Sequence, residues 1–321
     1  MERGAGITHP PGPTGTADGA RPARRWSAEP HHRRRRAVAL LSLVAIALLA
    51  VLLLLGGGAT PPQVVHEPRG GFFTRVRVLT REEATAVTGR EAAGETAAIN
   101  RTLAYTPYVR IAGAQHREIA LTFDDGPGPY TPAVLAILEH EHVPATFFEV
   151  GVEDRYFSGS TSAIAADSDV IGDHTEIHAA MSKLSRAKQQ AQLLEQARSI
   201  ERFGASFPRL FRPPYGMWNA TTLALLYRYR MLMVLWTVDT SDYLRPGVNA
   251  IVDRAVNGAR PGAIILLHDA GGDRSQTVAA LPRIIAALRE KHYVLVTVPE
   301  LLHDNPAPRV QNIASVIGKG G

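Results

Sequence analysis

From Glu118 onward, short apolar runs alternate with amphipathic stretches, and this alternation constrains the fold more than any other feature of the chain. The runs cover 118–123, 145–151, 169–172, 209–212, 231–238, 263–268 and 293–298, seven strand candidates in all. Short, near-continuous stretches of Val, Ile, Leu and Phe are what strands buried on both faces of a parallel sheet require. The helix candidates between them have readable ends. Thr131-Pro132 reads as an N-cap followed by proline, with Val134, Leu135, Ile137 and Leu138 as an apolar stripe. Leu184, Ala187, Ala191, Leu194, Ala197, Ile200 and Phe203 recur at spacings of three and four, and Gly204 follows as a stop. Val278, Leu281, Ile284, Ile285 and Leu288 make a third stripe. Parallel strands joined by helices form an open doubly wound sheet or a closed barrel, and in both the functional groups gather where strands end.

The strand ends carry the informative residues. The first strand runs into Asp124-Asp125-Gly126-Pro127, the third into His174-Thr175-Glu176-Ile177-His178, and the fourth into Arg212-Pro213-Pro214-Tyr215-Gly216. The fifth runs into Asp239-Thr240-Ser241-Asp242-Tyr243 and the sixth into His268-Asp269. Two histidines four apart fall on one face of a helical turn, and with a nearby carboxylate they make a metal-binding set that leaves positions open for water. Taken alone, the pair reads first as ordinary surface or core histidines. Glu176 stands two residues after His174 rather than beside it, so the metalloprotease pattern H-E-x-x-H does not apply. Adjacent strand residues point to opposite faces, which would give Asp124 and Asp125 different tasks. The same Asp-Asp-Gly-Pro is also good chemistry for a solvated turn.

Composition removes several classes. The chain of 321 residues contains no cysteine, so disulfides, cysteine-ligated zinc and thiol nucleophiles are excluded, and any metal falls to His, Asp or Glu. The formal charge of +5 resides in residues 1–36, which hold eight Arg and three acids; the remainder is balanced. No nucleic-acid partner is expected of a neutral folded part. Residues 1–36 read as a disordered basic cytoplasmic tail. Residues 37–55, AVALLSLVAIALLAVLLLL, are long enough to cross a hydrocarbon core of about 30 Å and read as one transmembrane signal-anchor helix. A cleaved secretory signal or a buried core helix are the alternatives. Arg33 to Arg36 abut its N-terminal end, so a single-pass protein of the cell membrane with its catalytic part outside is expected. Residues 56–117 read as a stalk and lead-in, in which TREEATAVTGREAAGETAAINRTLA has helical composition but only a weak, mostly Ala face. Residues 303–321 read as a C-terminal tail.

TFDDGP at 122–127, HTEIH at 174–178, RPPYG at 212–216, WTVDTSDY at 236–243 and LLH at 266–268 resemble, in order and spacing, the five motifs of the polysaccharide deacetylases (NodB homology, carbohydrate esterase family 4). TPAVLAIL, VPATFFEVG and IGDHT add to the likeness, which covers about residues 118–302. The resemblance implies an irregular (β/α)7, TIM-barrel-like fold. It implies that Asp125, His174 and His178 hold a divalent metal, usually zinc, that Asp124 is the general base with Arg212 as its charge partner, and that His268 is the general acid oriented by Asp242. It further implies a Tyr215 backbone N–H at the oxyanion, and Trp236 and Leu266 lining an acetyl pocket, with Asp239 close behind. Ala179 stands where the family usually has Pro, Tyr243 where it usually has Trp, and the loop from Arg155 to Asp169 also departs from the pattern; altered substrate fit is the expected consequence. His140 and His142 read as surface groups, and Trp218 and Tyr130 as packing or sugar-stacking rings.

The expected function is metal-dependent removal of N-acetyl groups from an extracytoplasmic polysaccharide, peptidoglycan or a chitin-like glycan. An O-acetyl esterase using the same site and a glycan-binding barrel without turnover are the rival expectations.

Overall fold

Parallel strands need crossovers, and the computed structural model describes them over residues 93–312, Ser168 excepted. These residues lie in the unit Arg77–Gly321. The strands are β1 (Tyr108–Val109), β2 (Glu118–Asp124), β3 (Thr146–Glu149), β4 (Val170–Asp173), β5 (Leu210–Phe211), β6 (Leu232–Val234), β7 (Val238–Asp239), β8 (Ile264–His268) and β9 (Val294–Val296). They form one sheet in the order β1-β6-β5-β4-β3-β2-β8-β7, with β9 pairing β2 as well, and every strand pairing is parallel.

The expected strand 231–238 is two strands, and the break explains the shape. β6 lies beside β1 near one end of the order and β7 lies at the other, yet only residues 235–237 separate them. Leu235 N still bonds Val109 O at 2.7 Å, whereas Thr237 N bonds Ile264 O at 2.8 Å. Two residues of chain span at most about 7 Å, so the sheet has curled until its edges approach. Trp236 sits at that seam. An antiparallel bridge from Ile111 to Ala263 and a hydrogen bond from Thr237 Oγ1 to Arg110 O fasten it. The result is a curled parallel α/β sheet of half-barrel form. This form is consistent with the irregular TIM-barrel-like fold expected, with nine strands of unequal length among the described residues where seven were expected.

Alternation along β2 sorts its residues between two cores. Ile119, Leu121 and Phe123 pack with Val134, Leu138, Ile284 and Ile285 of the surrounding helices Thr131–Glu141 and Ser275–Glu290. Phe123 also stacks on Phe147 at 5.2 Å. Ala120 instead joins Phe148, Leu210, Val234 and Ile264 in a second cluster. The two-residue period then places Thr122 and Asp124 with Ala120, and Arg212 with Leu210, on that second side. Full burial of each such Leu, Ile or Phe stabilises the fold by about 1.5–3 kcal/mol, and β3 and β8 are buried at every residue.

Several helix expectations need correction. Tyr130, not Thr131, is the N-cap of Thr131–Glu141, because Thr131 Oγ1 is engaged with Gly128 N and Asp269 Oδ2. In Arg186–Arg202 the buried face contains Leu193 in place of the expected Leu194, together with Gln189 and Gln196. Those amides are buried because each is bonded, Gln196 Nε2 to Glu149 O and Gln189 Nε2 to Leu184 O. Gly204 does end this helix, at φ +105.

The folded part also exceeds 118–302 at both ends. A helix over residues 93–103 buries Ala98 and Ile99, and β1 pairs with β6. Gln311 Oε1 accepts from Arg110 N and Ile111 N, so part of the expected C-terminal tail closes β1. Among the described residues no helix is long and apolar enough to cross a membrane. The expected basic tail and membrane helix, residues 1–36 and 37–55, lie outside them.

Candidate active site

Asp124 at the end of β2 and Arg212 just after β5 meet first. Arg212 is fully buried and donates from Nη1 to Asp124 Oδ1 at 2.6 Å and to Thr122 Oγ1 at 2.8 Å. Its Nε and Nη2 donate to the carbonyls of Val234 and Leu235 at 3.1 and 3.3 Å, and its guanidinium lies 4.1 Å over the Phe148 ring. A buried guanidinium with this many acceptors is a fixed part, and it fixes the Asp124 carboxylate with it.

Asp125 does not point away from Asp124 as strand alternation predicts. β2 ends at Asp124 and Asp125 takes φ 72, a left-handed conformation that turns its carboxylate back to the same side. The HTEIH segment is likewise no helical turn. It is a loop with Thr175 at φ 71 and His178 at φ 53, braced by Asp173 Oδ1 accepting from Thr175 N at 2.7 Å. The imidazoles nevertheless converge, with His174 Nε2 3.5 Å and His178 Nε2 3.0 Å from Asp125 Oδ1.

The backbone settles what this cluster can hold. His174 Nδ1 lies 2.7 Å from Arg212 O. A carbonyl oxygen only accepts, so in the neutral ring Nδ1 carries the proton and Nε2 presents a lone pair. That lone pair faces the buried Asp125 Oδ1, which receives no hydrogen bond. Two acceptors facing each other call for a cation between them. Asp125, His174 and His178 offer ligand atoms all within 4.8 Å of one another, a carboxylate with two imidazoles that suits a divalent ion. His178 Nδ1 is 3.1 Å from the Tyr215 hydroxyl, so each imidazole is oriented through its other nitrogen.

At the end of β8, His268 Nδ1 is 2.7 Å from Asp242 Oδ1. Asp242 Oδ2 accepts from His268 N and from Thr277 Oγ1, each at 2.8 Å, so the carboxylate is held on three sides. Burial would lower the His268 imidazole, yet Asp242, followed by Asp125 and Asp124, raises it to about 9. The ring therefore carries a proton at neutral pH, with Nε2 as its free donor.

One cavity of about 940 Å³ joins these groups. Asp124, Asp125, His174, His178 and His268 open onto it, as do Tyr215, Trp236, Leu266 and Asp239. Arg212 and Asp242 stand behind it. Tyr243, at the position where Trp was expected, sets its ring edge-on to His268 at 5.3 Å. Val150, Arg110, Gly271 and Arg274 also line the cavity; nothing in the local sequence marks the last three, because they come from a seam and from a loop. Trp218 packs with Met181, Leu225 and Met233 instead, His140 is exposed, and Tyr130 bonds Asp273.

With that geometry in view, comparison with known proteins identifies the class. The polysaccharide deacetylase family model matches residues 112–234. A peptidoglycan-N-acetylglucosamine deacetylase of Bacillus cereus is 40% identical over 187 residues, 57% of this chain and 87% of the relative. A chitooligosaccharide deacetylase of Sinorhizobium fredii is 37% identical over 210 residues, 62% of this chain and 98% of the relative. The crystal structure of the Bc1960 peptidoglycan N-acetylglucosamine deacetylase superposes with a TM-score of 0.60 at 30% identity, covering 64% of this chain and 95% of that one. The chain belongs to the polysaccharide deacetylase family and is an enzyme of that class.

Proposed function

We propose that the protein hydrolyses N-acetyl groups on an extracytoplasmic glycan, with peptidoglycan as the first candidate and chitin-type oligosaccharides as the second. The observation that carries this reading is that Asp124, His268 and the Asp125, His174 and His178 cluster all open onto one cavity. A divalent ion at that cluster, zinc by its donor set, would supply an acidified water and a polarised acetyl carbonyl.

An amide is cleaved when a water oxygen bonds to its carbonyl carbon and the C–N bond breaks, releasing acetate and an amine. Asp124, held by Arg212, accepts the proton that the attacking water loses. The Tyr215 backbone N–H is assigned to the carbonyl oxygen as its charge builds. His268 gives its Nε2 proton to the departing nitrogen, which leaves as a neutral amine, and Asp242 keeps the imidazole in the orientation that permits this. Trp236 at the seam and Leu266 beside it give the acetyl methyl an apolar wall. Asp125 and the two imidazoles would hold the divalent ion.

Peptidoglycan is favoured because residues 37–55, flanked by Arg33 to Arg36, would hold the catalytic part at the outer face of the cell membrane. Protease added to intact cells should digest the catalytic part while leaving residues 1–36 protected. The activity is tested by acetate release from peptidoglycan, from N-acetylglucosamine oligomers and from acetylated xylan. Release from the first or second supports N-deacetylation. Release from xylan alone would replace this reading with O-acetyl esterase activity.

A further inference from the structure

The loop that follows His268 is interlocked with the turn that carries Asp125. A side chain at Gly126 would collide with the Asp269 carboxylate, one at Gly128 with the Ala270 methyl, and one at Gly271 with Asp125 Oδ2. Three glycines thus allow two segments more than 140 positions apart to press backbone against side chain. Gly271 touches the Oδ2 side of Asp125, while Oδ1 is the oxygen that the imidazoles approach. The loop is therefore a backstop behind a metal ligand.

Something has to hold the backstop, since a loop containing Gly271-Gly272 has little stiffness of its own. Arg274 is 4% exposed, and three of its nitrogens donate to carbonyls of that loop. Nε donates to Ala270 O at 2.6 Å, Nη2 to Gly271 O at 3.0 Å and Nη1 to Asp273 O at 3.3 Å. A planar guanidinium can fix several carbonyls at once in a way that no ammonium or apolar side chain reproduces.

We propose that Arg274 is a positioning residue for the metal cluster: by pinning Ala270 and Gly271 it keeps the Gly271 backbone against Asp125 and so fixes the direction of Oδ1. This rests on the reading of Asp125, His174 and His178 as metal ligands. The test uses cobalt(II) as the probe, with affinity measured by chelator competition and geometry read from the visible spectrum, neither of which requires turnover. Arg274→Met and Gly271→Ala should each weaken cobalt binding roughly 10–100-fold and alter its spectrum, as loss of groups that orient ligands does. Arg274→Lys should fall between Arg274→Met and wild type. Gly204→Ala, at a positive φ with nothing nearby, should lower thermal stability and leave cobalt affinity at the wild-type value. Wild-type affinity and spectrum in Arg274→Met would overturn the proposal, whatever its melting temperature. Should that variant not fold, unchanged cobalt binding in Gly271→Ala overturns it equally. Absence of cobalt binding by the wild type would overturn both this inference and the metal reading beneath it.

Discussion

Asp124 and His268 are register partners on adjacent parallel strands, β2 and β8, each the last residue of its strand. Strand neighbours lie about 4.8 Å apart, so the proposed proton acceptor and proton donor are placed at one level of the rim by backbone pairing rather than by loops. Asp125 is the next residue of the chain, and the proposed metal cluster follows directly from the same strand end.

His268 gives the pH dependence. Its acid form is the imidazolium, raised to about 9 by Asp242 against the opposing effect of burial. kcat/KM should hold below that region and fall as pH rises through it, with a bound divalent ion repelling the imidazolium and drawing the limb toward neutrality. Asp242→Asn removes the charge that raises the ring, so its alkaline limb should lie lower by about one pH unit or more. An unshifted limb would remove His268 from the role of acid. In the metal-free protein the same group contributes stability that is fully present below its unfolded value of 6.5 and lost as pH rises through about 9.

Arg212 is a stability prediction. Arg212→Met strands the Asp124 carboxylate in the interior and should cost about 3–5 kcal/mol in urea unfolding of the metal-free protein. Arg212→Lys should recover only part, because one ammonium cannot reach Asp124 and the carbonyls of Val234 and Leu235 together.

The Tyr215 hydroxyl tests ligand orientation from the exposed side. Tyr215 is 56% exposed, so Tyr215→Phe should leave unfolding stability within about 0.5 kcal/mol of wild type. It should nonetheless weaken metal binding by about tenfold through His178. Equal affinities in a chelator competition would show that the hydroxyl does not orient the imidazole.

Metal removal should be visible as unfolding. At an ion concentration 100-fold above the dissociation constant, binding adds about 2.7 kcal/mol, so chelator should lower the melting temperature of wild type and leave that of Asp125→Asn in place.

The five strand-end motifs were legible because deacetylation demands ionisable groups at one rim, and no helix face supplies them in that order. What stayed hidden was backbone. The left-handed φ of Asp125 defeats the alternation rule, and those of Thr175 and His178 turn an apparent helical spacing into a loop. The apolar run 231–238 reads as one strand although it crosses the seam, since hydropathy does not report which edge a residue pairs with. Leu193 and Leu194 are adjacent leucines, and only the bonded Gln189 and Gln196 on the buried face decide between them. The helix over residues 93–103 has a small, Ala-rich face that gains its burial from the ends of a sheet formed much later in the chain. Arg274 looks like any loop arginine until its carbonyl partners are seen.

The most direct test of the central claim is acetate release by Asp124→Asn, measured beside its cobalt(II) affinity. The account predicts that Asp124→Asn, which keeps the Asp125, His174 and His178 cluster, retains metal while its rate of acetate release falls by about 10²-fold or more. Release at the wild-type rate from a metal-loaded Asp124→Asn enzyme would contradict it.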